Sequence, residues 1–187
     1  MNSLRGQFLV ASPHLPDPSF ARTVILMVEH HSEGALGLVL NRPSGARVGD
    51  LLKEDDLFVN DSTFDDCRLL LGGPCDGHIM CLHGSPKFSE GEILPGVHLA
   101  TRQEHMKGVI DLPDASFRIF WGYAGWGEGQ LESEMEAGGW LTTSATAAMV
   151  FEEDVDSLWK LAVTRSGQQV LRDALNIRHF PKDAGLN

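Results

Sequence analysis

GQFLVASPHLPDPSFARTVILMVEHHSEGALGLVLNRP, running from Gly6 to Pro43, decides the fold. Phe8 to Ser12 predicts a first strand, closed by Pro13 and Pro16. Asp17-Pro18-Ser19-Phe20 predicts a turn, because an aspartate side chain can accept a hydrogen bond from the backbone ahead of it. Val24 to Glu29 and Leu36 to Leu40 are β-branched and leucine-rich runs separated by Ser32, Glu33 and Gly34, which is the pattern of a hairpin. Neither run alternates between apolar and polar residues, so both read as central strands covered on two faces.

Working outward, Val48 to Leu52 predicts one or two helical turns. Leu69 to Leu71 and Ile79 to Leu82 predict two strands, joined by Gly72-Gly73-Pro74 and a short polar connection, and Val97 to Ala100 predicts another. Thr101 with Glu104 three residues on reads as a capping box opening a helix, with Met106, Val109 and Ile110 on its apolar face. Phe117 to Tyr123 predicts a strand, whereas Gly125 to Gln130 is too rich in glycine for one and is expected to open a helix that Gly138 and Gly139 stop. Trp140 to Thr143 predicts a short strand. From about Asp154 an amphipathic helix carries Val155, Leu158, Trp159, Ala162 and Val163 on one stripe. A second helix is expected over Gln168 to Leu175, and Pro181 to Asn187 should fray. Strands in local pairs with helices inserted late make an α+β class.

Composition narrows what the protein can be. Hydrophobic residues at 42% against 22% charged describe a globular chain, and 187 residues without an internal linker read as one domain, 1–187. No apolar run approaches the roughly 20 residues of a membrane span, and Phe8 to Ala11 is too short for a secretion signal, so the expected compartment is the cytoplasm. The net charge of -11, without any run of Lys and Arg, weighs against direct nucleic-acid binding. Cys67, Cys75 and Cys81 form no CxxC pair and are expected as reduced thiols.

Candidate chemistry is sparse. The run Gly122-Tyr123-Ala124-Gly125-Trp126-Gly127-Glu128-Gly129 invites comparison with a phosphate cradle, but it matches neither GxGxxG nor GxxxxGK[ST] and is read as serving a tight turn and the packing of Trp126. Cys75, His78, Cys81 and His83 are metal-ligand types, yet alternation along a strand sends His78 and Cys81 to opposite faces, so no metal site is expected. Glu29-His30-His31, at a strand end, is read as a solvated surface group. No GxSxG elbow, Cys-His signature or HExxH is found, no catalytic residue is assigned and no cofactor is expected.

The most suggestive polar group is Arg22-Thr23 together with Asn41-Arg42-Pro43. If the two long strands pair antiparallel, Arg22 and Arg42 fall near one end of the sheet, and two guanidiniums there require a carboxylate or an anion. Asp17, five residues before Arg22, is one possible partner; an anionic ligand is the other. Asp17, Arg22, Thr23, Asn41 and Arg42 are therefore the candidate binding residues.

The Gly6–Pro43 block, LLLGGPCDGHIMCLHG (Leu69–Gly84) and FWGYAGWGEGQLESEMEAGGWL (Phe120–Leu141), with Phe151 and Trp159, carry a resemblance. On these residues the chain resembles the bacterial YqgE/AlgH family, also called UPF0301 or DUF179. The resemblance implies a bifurcated mixed β-sheet with a small closed barrel, flanked by helices. Asp17 and Arg22 stand in the family's DPxFxRT motif, and Cys75 stands where the family motif has valine. Members are labelled transcriptional regulators, and no biochemical activity is established for them. The expectation is a regulator acting by binding a protein or a small anionic ligand. Two alternatives stand beside it: an enzyme using the Arg22/Asn41/Arg42 end, and a DNA-binding regulator as the label suggests.

Overall fold

The computed structural model describes residues 3–49, 64 and 67–175, with the side chains of 172–175 left aside. Ten strands are β1 (Gln7–Ala11), β2 (Val24–His31), β3 (Gly34–Val39), β4 (Pro43–Arg47), β5 (Arg68–Leu71), β6 (Cys75–His83), β7 (Gly91–Leu94), β8 (Val97–Ala100), β9 (Phe117–Gly127) and β10 (Trp140–Ser144). The helices with described bounds are α1 (Gln103–Ile110), α2 (Gln130–Glu136), α3 (Ala147–Phe151) and α4 (Val155–Leu175).

The strands form one sheet in the order β10-β1-β2-β3-β9-β6-β8-β7. All neighbours are antiparallel except β5, which adds parallel to β9 and carries β4 on its outer side. The sheet forks at β9. One edge of β9 pairs with β6, while β5 takes Ile119–Trp121 and β3 takes Ala124–Gly127 on the opposite edge. Gly72 sits in the fork, donating to the Trp121 carbonyl and accepting from the Val39 amide, both at 2.8 Å. A Cβ on Gly72 would come within 2.2 Å of the Gly122 carbonyl oxygen, so only glycine lets the backbones meet there. The α+β class and the forked, curled sheet are what the resemblance implies, and the curl is that of a half-barrel. Arg5 bridges its free side, donating from Nε to the Val28 carbonyl at 3.0 Å and from Nη2 to the Glu92 carbonyl at 2.7 Å.

Burial explains why β1 and β2 show no polar alternation. Phe8, Val10, Val24, Leu26 and Val28 face a core closed by Met149 and Val150 of α3 and Leu158 and Ala162 of α4. The intervening Leu9, Ala11, Ile25 and Met27 face a second core under Leu131 of α2. A third core, with Leu69, Ile79, Cys81 and Ile119, lies under Met106 of α1. Truncating a fully buried side chain such as Ile25 or Leu26 to alanine should cost about 2–5 kcal/mol.

Several expectations need correction. β9 continues as a strand to Gly127, because pairing with Gly34–Gly37 of β3 overrides the poor strand propensity of its glycines; α2 opens only at Gln130. The Thr101–Glu104 capping box does not form. Arg102 is the N-cap of α1 and makes no side-chain cap, while Thr101 turns its hydroxyl to Glu90 at 2.6 Å. Gln168 to Leu175 is not a separate helix but the continuation of α4, which passes through Gly167. Strands β4 and β7 and helix α3 were not expected, and the polar stretch after Pro74 is the irregular first half of β6. Val48 and Gly49 are helical, as expected; the rest of Val48–Leu52 and all of Pro181–Asn187 lie outside the described residues.

Candidate functional site

The loop between β1 and β2 sets up the site. Asp17 accepts from the Ser19 amide at 2.7 Å, forming the expected turn. The Thr23 hydroxyl donates to the Phe20 carbonyl at 2.8 Å, and Thr23 is fully buried. Between them Arg22 is held at φ 58°, a left-handed conformation that a residue with a side chain seldom adopts. Across the hairpin, Asn41 uses both ends of its amide: Oδ1 accepts from the Val24 amide and Nδ2 donates to the Arg22 carbonyl, each at 2.9 Å. Arg42 Nη2 donates to the Ala21 carbonyl at 3.1 Å.

These contacts bring Arg22, Asn41 and Arg42 to one cleft of about 530 Å³, whose far wall is α4 with Asp156, Trp159 and Lys160. The Arg22 guanidinium lies 5.7 Å from the centre of the Trp159 ring, a cation–π distance, and the ring is held by its Nε1 donating to the Ala11 carbonyl at 2.9 Å. Three cationic side chains thus meet one carboxylate, Asp156. Among the described residues neither Arg22 nor Arg42 has a carboxylate within ion-pairing distance.

Of the five candidates, three line this cleft. Thr23 supports it from inside the fold without lining it. Asp17 lines a different cavity, where its Oδ1 accepts from the Ser19 amide, and the internal Asp17–Arg22 pair is not formed. Lys160, Trp159 and Asp156 were not anticipated as site residues. Trp159 was visible as one member of an apolar stripe and as a residue that carries the resemblance, and nothing in the chain says which strand end that stripe meets.

The other chemical candidates fare differently. His78 is exposed while Cys81 and His83 are buried, and among the described residues no three ligand-type side chains converge for a metal. Burial, reinforced by Cys67, pushes the Cys81 thiol far up and makes it inert as a nucleophile. Burial and the neighbouring His98, whose ring centre is 5.8 Å away, hold His83 below the usual histidine range. Neither ring nitrogen of His83 completes a hydrogen bond of good geometry, although backbone groups of Ser85 and Leu99 lie close enough to favour its charged form.

His30 corrects the surface reading of Glu29-His30-His31. Its side chain is 6% exposed; Nδ1 accepts from the Leu4 amide, so Nε2 carries the proton and donates to Glu132 at 2.9 Å. Arg118, whose pKa burial lowers against the opposing charge of Asp154, is committed to the Leu40 and Glu153 carbonyls.

A family profile described as AlgH-like, DUF179, matches residues 8–171. A UPF0301 protein of Shewanella denitrificans is 36% identical over 171 residues, covering 89% of this chain and 93% of the relative. One from Chlorobaculum tepidum is 35% identical over 97% of this chain and 95% of its own length. The solution structure of the AlgH protein from Pseudomonas aeruginosa superposes with a TM-score of 0.74 at 31% identity, covering 96% of this chain and 97% of that one. A crystal structure of a Corynebacterium diphtheriae protein gives 0.66 at 23% identity, over 92% of this chain and 87% of that one, and shares the fold.

Proposed function

Starting from a chain that belongs to the AlgH-like DUF179 family, we propose a protein that acts by binding a small anionic ligand in the Arg22–Asn41–Arg42 cleft rather than by catalysis. The observation that carries this reading is the convergence of Arg22, Arg42 and Lys160 on a cleft that offers them a single carboxylate. Like charges so placed repel one another, and an anion between them would relieve that repulsion while accepting charged hydrogen bonds. The strain at Arg22 supports the same reading, since a non-glycine residue at φ 58° costs about 1–2 kcal/mol and here delivers a guanidinium to the cleft. Among the described residues the lining offers no thiol, hydroxyl or imidazole. Regulation through such a ligand fits a chain of net charge -11 better than direct contact with DNA does. A cytoplasmic location belongs to the same proposal, in keeping with the absence of a disulfide among the described cysteines.

The test is a thermal-shift titration with inorganic phosphate and citrate on the full chain and on Arg22→Met and Lys160→Met. An anion that raises the Tm of the parent protein and leaves both variants unmoved is the expected result. Equal shifts in parent and variants, or none in the parent with either anion, would overturn it.

A further inference from the structure

On the other side of the β1–β2 loop lies a second cavity, of about 500 Å³, with the opposite character. Phe20 from the loop, Trp126 from β9 and Trp140 from β10 all line it. Phe20 stacks near-parallel on Trp126 at 6.2 Å and meets Trp140 edge-on at 5.3 Å, while the two indoles cross at 81° with centres 6.0 Å apart. Both indole N–H groups point at the same carboxylate oxygen: Glu134 Oε2 accepts from Trp126 Nε1 at 3.0 Å and from Trp140 Nε1 at 2.8 Å. Its other oxygen accepts from Gln130 Nε2 at 2.9 Å.

These three donors are neutral. They fix the orientation of the Glu134 carboxylate without cancelling its charge. Asp17 also lines the cavity, and among the described residues no Lys, Arg or His does. Aromatic faces, with their negative quadrupoles, and two carboxylates beside an apolar wall all favour the same visitor. A bare metal ion fits poorly, because ring carbons cannot ligate it and both Glu134 oxygens already accept, Oε2 from the two indoles and Oε1 from Gln130.

We propose that this cavity is a binding site for a small organic cation, a quaternary ammonium or protonated amine carrying apolar substituents. The charge would sit against the Glu134–Asp17 side and the apolar part against Phe20, Trp126 and Trp140. The volume lies within the range of small-ligand pockets. This site is independent of the anion cleft: no residue lines both, and the two have opposite charge.

The two tryptophans are themselves the reporters. Intrinsic fluorescence of the full chain is titrated with benzyltrimethylammonium, with choline, and with neohexanol, the uncharged carbon isostere of choline. Saturable quenching by the two cations is expected, with neohexanol at least about tenfold weaker because it lacks the charge. Glu134→Gln keeps a carbonyl acceptor for the indoles and should weaken cation binding by about tenfold or more. Since that change could disturb the tryptophan packing, Asp17→Asn is the second variant. It preserves the turn acceptor on an exposed loop and should weaken the cations without affecting neohexanol. No saturable quenching by either cation, or equal affinity for choline and neohexanol, would overturn the proposal. So would unchanged cation affinity in both variants, which would leave the Glu134 network as a device for orienting the tryptophans only.

Discussion

Replacing Glu90 by glutamine should be among the most damaging single changes outside the buried core. Glu90 stands between the short turn at Pro86–Phe88 and β7, and its carboxylate does for α1 what Thr101 does not. Oε1 accepts from the Arg102 amide and meets His105 Nδ1, both at 2.9 Å, and Oε2 accepts from the Thr101 hydroxyl at 2.6 Å. Burial alone would raise its pKa; the Thr101 hydroxyl, the Arg102 and Thr101 amides and His105 outweigh it and hold the group at about 2, against an ordinary 4.5. The carboxylate is sheltered but the residue as a whole is exposed, so solvent screening limits the contribution of that depression to about 1–2 kcal/mol of stability at neutral pH. Because the folded-state value lies below the unfolded one, the contribution is complete above about pH 4.5 and disappears as pH falls toward 2. Glutamine keeps one acceptor oxygen but turns an N–H₂ toward a donor. Urea denaturation followed by circular dichroism should therefore show Glu90→Gln about 1–2 kcal/mol less stable than the parent at pH 7, with the gap narrowing steadily below pH 4.5. A variant within about 0.5 kcal/mol of the parent at pH 7 would refute the reasoning.

Three further outcomes are expected. The buried His83 has a folded-state pKa below 6.5, so stability should decline as pH falls from 6.5, and His83→Phe should flatten that slope in a series of pH-dependent melts. Arg22→Gly should raise the Tm of the ligand-free protein, by relief of about 1 kcal/mol of left-handed strain less the lost contact with Trp159, and should abolish any anion-dependent shift. Cys75→Val, which installs the residue usual in the family motif at nearly the same volume, should change stability by less than about 1 kcal/mol in the same denaturation assay.

How far the chain could be read in advance depended on whether an element's reason was local. β1, β2 and β3 were legible because Phe8–Ala11 and Val24–Val28 are apolar at every position, and burial on two faces is the one setting that requires it. The Asp17 turn and the stop at Gly138, which sits at φ 79°, were legible because their chemistry is contained within a few residues. β4, with Pro-Ser-Gly-Ala-Arg, and β7, with Gly-Glu-Ile-Leu, are strands only by virtue of β5 and β8 beside them. The helix cap failed for the same reason: a carboxylate eleven residues before Thr101 competes better for its hydroxyl than its own helix does. At the site, the meeting of Arg22 with Arg42 followed from the hairpin. Lys160 and Trp159 reach it through the docking of α4, which no local pattern announces.

The fork at β9 governs the order in which the chain can assemble. The β2–β3 hairpin can close as soon as Val39 has been synthesised, but the outer edge of β3 waits for Ala124–Gly127 and that of β1 waits for Trp140–Ser144, which pairs Gln7 with Ser144. Until then the three-stranded unit β1–β2–β3, apolar along most of its length, carries two unpaired edges, the kind of segment that recruits other chains. A chain interrupted before Phe117 therefore holds three strand groups, β1–β2–β3, β4–β5 and β6–β8–β7, without the strand that pairs them into one sheet. The rate of reaching the native state is set by closure of loops more than a hundred residues long, which places the protein among slow folders whatever its final stability.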